Sequence, residues 1–60
     1  MNLVVQGLGM TAALAEDAAR LAQSAALEPL GPTAWRLRGA QRSPTLEAWC
    51  AAHRVDCAWV

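Results

Sequence analysis

The sequence of 60 residues contains no Lys, Ile, Phe or Tyr. Its five basic residues are therefore all Arg, and they balance five acidic residues, so the formal net charge is zero. Surfaces that bind nucleic acids or anionic membranes need a strong basic excess, and this balance argues against both. Intrinsic disorder requires low hydrophobicity and high net charge, whereas this chain is 55% apolar. The composition therefore predicts a folded module.

Charge is also missing from residues 1–15. Ala13-Leu14-Ala15 resembles a signal-peptidase cleavage site. A secretory signal peptide also needs a positively charged segment at its start, and no such segment precedes this site. The stretch is also shorter than the roughly 20 apolar residues of a membrane span. We therefore expect a cytoplasmic protein that does not enter a membrane. In that compartment Cys50 and Cys57 are expected to be reduced thiols, and a disulfide between them is the alternative.

Apolar periodicity divides the chain into six segments. Alternation with a period of two, or a short apolar run, indicates a strand, and spacing of three and four residues indicates a helix. Pro29 lacks an amide proton and restricts its strand to a sheet edge, and Gly31-Pro32 indicates a hairpin turn. Thr11 is the expected cap of the first helix, while Ser43 and Pro44 are expected to open the second. The predicted strands cover 3–5, 26–30, 33–38 and 56–60, and the first helix covers 11–25.

This βαββαβ order predicts an α+β, ferredoxin-like fold, with two helices on one face of a four-stranded antiparallel sheet. The face beneath the helices should carry Leu3, Val5, Trp35, Leu37, Cys57 and Trp59. The opposite face stays open, and a half-apolar open face in a small module indicates a binding surface. A sparsely populated, solvated face is the alternative. The open face is expected to consist of Val4, Gln6, Ala34, Arg36, Arg38, Ala58 and Val60.

Two short motifs suggest ligand chemistry. Gly7, Gly9 and Ala12 fit the glycine-rich turn of dinucleotide-binding proteins, and Glu28 lies near the position of a ribose-binding acid. Against this hypothesis, Pro29 interrupts the second strand, and an ordinary strand-to-helix turn explains the glycines.

The second motif places Cys50, His53 and Cys57, with Asp56, at spacings that could suit a metal. A structural zinc site needs four converging ligands, but the pattern splits these residues between a helix and a strand. His53 is better explained as a helix-end residue. No hydroxyl or thiol is paired with a base, so the sequence predicts no catalytic, cofactor-binding or metal-binding residue.

The order of the packing residues resembles the amino-terminal, ACT-like segment of bacterial phosphoserine phosphatases. The likeness spans nearly the whole chain. It rests on residues 1–7 (MNLVVQG), 34–37 (AWRL), 46–50 (LEAWC) and 54–60 (RVDCAWV).

The resemblance implies a parent enzyme of the haloacid dehalogenase superfamily. Such enzymes hydrolyse O-phospho-L-serine to L-serine and phosphate in serine biosynthesis, with Mg2+ and an aspartyl-phosphate intermediate in the catalytic domain. Their Asp-x-Asp-x-Thr/Val signature is not found in these residues: Asp17 precedes Ala18-Ala19, and Asp56 precedes Cys57-Ala58. The resemblance therefore implies that residues 1–60 form one ACT-like module, the amino-terminal fragment of a longer enzyme, with no cofactor of its own.

The resemblance also implies a possible effector site at the first strand-to-helix turn, at Gly7, Gly9 and Thr11. This turn lacks the Asp and the Pro-Gly pair that are usual there. We expect the partner to be the catalytic phosphatase domain or a second copy of the chain. The alternative is a free-standing ferredoxin-like protein that dimerises or binds an amino acid.

Overall fold

The computed structural model describes residues 1–60 and contains the six predicted elements in the predicted order. Compared with the prediction, β1 is longer by Gln6, β2 is longer by Gly31, β3 begins after Thr33, and β4 ends before Val60. The bounds are β1 Leu3–Gln6, α1 Ala12–Leu21, β2 Ala26–Gly31, β3 Ala34–Arg38, α2 Pro44–Ala52 and β4 Asp56–Trp59.

The four strands form one sheet in the order β2-β3-β1-β4, and every neighbouring pair is antiparallel. Each helix links two strands that are separated by a third strand, which is the ferredoxin-like arrangement. The α+β prediction is therefore confirmed. Pro29 lies in the edge strand β2, as predicted, where a missing amide proton leaves the inner ladders intact. A bulge between Pro29 and Gly31 closes the β2–β3 hairpin.

One apolar core lies between the helices and one face of the sheet. The central strands supply Leu3, Val5, Trp35 and Leu37, all of which are buried. The helices supply small side chains together with Leu46, and the core is completed from loops. Its other members are Met10, Ala15, Ala18, Ala22, Ala40, Leu46 and Cys50.

Both helices begin at the predicted caps. The Thr11 hydroxyl accepts a hydrogen bond from the Leu14 amide at 3.2 Å, and the Ser43 hydroxyl accepts one from the Leu46 amide at 3.1 Å. Each side chain satisfies an amide that has no partner within the helix. Pro44 occupies the first turn of α2, where its missing amide proton costs nothing.

The end of α1 was predicted wrongly. The helix stops at Leu21 because Gln23 takes a left-handed conformation (φ 52°). The Ser24 amide then donates to the Ala19 carbonyl at 2.9 Å and the Gln23 amide to Arg20 at 3.2 Å, which is a Schellman ending. Ala25, the last residue of the predicted helix, lies beyond its end and is exposed.

The buried side of α1 consists of small side chains. Ala15 and Ala18 are buried, whereas Leu21 is exposed. Arg20 forms an ion pair with Asp17, three residues before it. Both side chains of the pair are largely exposed, so the pair adds little stability.

Candidate functional site: the open face of the sheet

The seven residues predicted for the open face lie together on the sheet surface opposite the helices. Val4 is opposite Arg36 on one side and Ala58 on the other, and Gln6 is opposite Ala34. Because successive side chains in a strand point to opposite faces, this register separates them from Leu3 and Val5, which face the core. Val60 and Arg38 continue the face at one end, and both are exposed.

The open face carries a charged cluster that the sequence analysis missed. Glu28 lies opposite Arg36 in the β2–β3 ladder. One carboxylate oxygen lies 3.4 Å from Nη1 of Arg36, and the other lies 3.7 Å from Nη1 of Arg38. Cross-strand pairs of opposite charge stabilise a sheet slightly. One acid is shared by two arginines, so this part of the face keeps an excess positive charge.

Glu28 was considered as a ribose-binding acid, and its position excludes that role. It lies on the edge strand, within the ion cluster of the open face. The sheet is also antiparallel, not the parallel doubly wound sheet that a dinucleotide site requires. Ala26 and Glu28 alternate with Leu27, so they lie on the face opposite to Leu27. Together with the register of the β2–β3 hairpin, this alternation would have revealed that Glu28 lies beside Arg36.

The far side of the face has a different character. Val4 and Ala58 are a directly opposed pair of small apolar residues, and Asp56 follows beyond them on β4, opposite Gln6. The face therefore runs from the two arginines of β3, which share Glu28 of β2, through an apolar centre to an acidic residue at one corner of β4. Such a flat, mixed surface can contact another protein over several strands at once.

The turn proposed as an effector site is held by contacts within the chain. The Gly7 amide donates to the Thr33 carbonyl at 3.1 Å, and the Met10 amide donates to the Gly7 carbonyl at 3.0 Å. The hydroxyl of Thr11 caps α1. Space around Gly9 is open, whereas a side chain at Gly7 would contact Val55. No pocket is present on the chain.

The Cys, His and Asp residues near the end of the chain do not converge on one point. Cys50 is buried on α2, while His53 is exposed at the end of this helix, as predicted. The His53 ring stacks on Trp49 with centroids 4.1 Å apart, and its Nδ1 lies 2.9 Å from the Trp49 carbonyl. No group of three or more His, Cys, Asp or Glu side chains is close enough to hold a metal ion.

Cys57 lies opposite Val5, on the face beneath the helices, as predicted. The residue is nevertheless exposed, because β4 is an edge strand. Although the residue is exposed, partial desolvation of its thiol raises the pKa of Cys57 from 9.0 to about 12, and interactions with Cys50 and with the charge of Asp56 add to this effect. Trp59 is half-buried on the same face, with the Arg42 guanidinium 4.8 Å from its ring centroid.

The chain matches the model of a described protein family over most of its length. A family described as "Domain of unknown function (DUF4072)" matches residues 3–46. The chain belongs to this family. The matched segment of the DUF4072 domain runs from β1 through the first turn of α2 and includes Val4, Gln6, Ala34, Arg36 and Arg38 of the open face. No curated protein and no solved structure matches the chain. Neither helix is long and apolar enough to cross a membrane.

Proposed function

We propose that this DUF4072 domain is a non-catalytic interaction module of a phosphoserine phosphatase, and that its open face docks on the catalytic domain of that enzyme. The parent enzyme is a cytoplasmic hydrolase of the haloacid dehalogenase superfamily that converts O-phospho-L-serine to L-serine. Mg2+ belongs to its catalytic domain and not to this module. The resemblance of the packing residues over nearly the whole chain supports this assignment.

The observation that carries the docking proposal is the composition of the open face. Both helices pack on the opposite side, so Val4 and Ala58 have no layer above them. Arg36 and Arg38 share the single carboxylate of Glu28, and a partner surface with further carboxylates would complete their pairing. Complementary charge of this kind fixes the orientation of two proteins and suppresses wrong partners.

The coding sequence that continues this reading frame gives the first test. We expect an Asp-x-Asp-x-Thr/Val motif and an acid-rich Mg2+ site to follow. The protein that contains both parts should hydrolyse O-phospho-L-serine in a Mg2+-dependent manner. A continuing frame without that motif, or a full protein that leaves O-phospho-L-serine intact, contradicts the phosphatase assignment.

A pair of charge-reversed variants tests the docking surface in the same full protein. Arg36→Glu places an acid beside Glu28 on the open face and should lower kcat/KM by about tenfold, equivalent to roughly 1.4 kcal/mol. Arg54→Glu is the matched control, because Arg54 is exposed and forms no ion pair. Equal activities of the two variants contradict docking through this face.

A second candidate function is self-association through the edge of β4. The Asn2 and Val60 amides each donate to the other's carbonyl, at 3.1 and 2.9 Å. In an antiparallel ladder the bonded pairs alternate, so the backbone groups of Cys57 and Trp59 point away from β1. Unlike β2, with its Pro29 and its bulge, this edge has no feature that blocks another strand.

Light scattering on the sixty-residue protein tests this second candidate. A dimer in the original protein that becomes a folded monomer in Cys57→Pro, which removes one outward amide proton, supports pairing through β4. A monomer at all concentrations contradicts it and leaves docking on the catalytic domain as the function of the module.

A further inference from the structure

The edge strand β4 is attached to the rest of the protein by few contacts. It has four residues and pairs with β1 alone. Asp56, Cys57 and Ala58 are exposed, and no residue of β4 belongs to the buried core. The strand therefore contributes one half-buried apolar side chain, Trp59, to the packing against that core.

The opposite edge strand, β2, is held by additional side-chain contacts. It has six residues, and its Glu28 carboxylate forms ion pairs with Arg36 and Arg38 of β3. The Ser24 hydroxyl, just before the strand, lies 2.8 Å from the Ala26 carbonyl oxygen and 2.9 Å from that of Arg38. No ion pair links β4 to its neighbours. The two edges of the sheet should therefore differ in how easily they open.

Trp59 carries the side-chain attachment of β4. It lies opposite Leu3, on the face beneath the helices. The guanidinium of Arg42, from the segment between β3 and α2, lies 4.8 Å from the centroid of the Trp59 ring. A cation at this distance from the face of an indole ring is attracted to it. The contact therefore fastens the end of β4 to the segment that precedes α2.

The backbone of β1 divides its hydrogen bonds between β3 and β4. The Asn2 and Val60 amides each donate to the other's carbonyl, so the backbone groups of Asn2 point towards the β4 side. Successive residues of a strand direct these groups to opposite sides. Val4 therefore bonds to β4, whereas Leu3 and Val5 bond to β3. Release of β4 would free the Val4 amide and leave the amides on both sides of it bonded.

We propose that β4 is a detachable strap: it leaves the sheet as a unit while the other three strands and both helices stay folded, and the contact between Arg42 and Trp59 is the latch that limits its release. Proteins open locally in cooperative units, and the units with few buried contacts open at a lower free energy than the whole chain. Release uncovers the backbone groups of β1 on the side of Val4. The strap therefore controls when this inner edge of the sheet is accessible, and this role does not depend on the phosphatase assignment.

Amide hydrogen exchange, followed by NMR on the sixty-residue protein, tests the detachment of β4. Under conditions in which exchange reports the opening equilibrium, the protection factor of Val4 should be about tenfold or more below those of Leu3 and Val5. Fraying at the end of β1 does not produce this pattern, because the less protected amide lies between two more protected ones. Equal protection of the three amides overturns the proposal, since β4 then opens only together with the rest of the sheet.

A matched pair of variants tests the latch. Arg42→Gln removes the charge from the Trp59 ring and keeps most of an exposed side chain, so the variant should fold. It should lower the protection factor of Val4 by about two- to fivefold, while the neighbouring amides of β1 keep theirs. The control is Gln41→Ala, at the adjacent exposed position, which should leave all three amides unchanged. Equal protection of Val4 in the two variants overturns the latch. The comparison of amides within the original protein needs no variant and decides the detachment by itself.

Discussion

The proton of the Cys57 thiol links a single residue to the stability of the whole chain. Its pKa is about 12 in the folded protein, against an ordinary value of 9.0, chiefly because the protein partly shields the thiol from water. The folded state therefore holds this proton more tightly than the unfolded chain does. The resulting stabilisation is fully present below about pH 9 and is lost as the pH rises towards about 12.

We predict that the free energy of unfolding falls between about pH 9 and about pH 11 and that Cys57→Ser falls less steeply over the same range. Urea unfolding at a series of pH values under reducing conditions measures both slopes. Ser is the suitable replacement because it keeps the size of the side chain and does not titrate. If the free energy of unfolding has the same pH dependence in the two proteins, folding does not change the pKa of the Cys57 thiol.

Glu28 shows why one member of the open face escaped the sequence analysis. Alternation in β3 assigned Arg36 and Arg38 to this face without reference to any other strand. Assigning Glu28 needs the register between β2 and β3, and the bulge between Pro29 and Gly31 shifts that register.

Both helices end in a Schellman motif without glycine, at Gln23 (φ 52°) and Arg54 (φ 54°). A non-glycine residue is strained in this conformation, and glycine is the usual occupant. This choice of residue explains why the sequence predicted the helix starts but not the end of α1. Thr11 and Ser43 are recognisable caps, whereas Gln23 carries no signal for a helix end.

We predict that Arg54→Gly stabilises the protein by about 1 kcal/mol, because glycine adopts a positive φ without strain. The control is Ala51→Gly, within α2, which should destabilise by a similar amount because glycine weakens a helix interior. Chemical denaturation measures both changes. A loss of stability in both variants would mean that the conformation of Arg54 is not strained.

The start of α2 depends on the Ser43 cap. Ser43→Ala removes the acceptor of the Leu46 amide, and we predict a loss of about 1 kcal/mol in the free energy of unfolding. Thr45→Ala, two residues further on in the first turn of α2, should leave the stability unchanged or slightly raised, because Ala is the better helix former. The same urea titration compares them, and equal losses would argue against a capping role for Ser43.

At the scale of the whole molecule, one core supports both the helices and the sheet. Leu37 is fully buried on the central strand β3, opposite Leu3. A chain of this length buries only roughly 60% of the surface that its unfolded form exposes, less than a larger domain does, so its stability is marginal. The alternation of β1 and β3 predicted these core residues, since a period of two assigns each residue to one face.

We predict that Leu37→Ala lowers the free energy of unfolding by about 2–5 kcal/mol, enough to unfold much of the protein at 25 °C. Leu8→Ala removes the same atoms from a side chain that is 100% exposed and should change stability by less than about 0.5 kcal/mol. Circular dichroism during thermal unfolding compares them. Equal effects would contradict the core described above.

The central claim is that the open face, and not the helical face, binds the phosphatase catalytic domain. Calorimetric titration of that separately produced domain with the sixty-residue protein tests it most directly. The original protein and Arg54→Glu should bind with the same Kd, and Arg36→Glu should bind about tenfold or more weakly. Equal binding by all three proteins, or no binding by any of them, would contradict the claim.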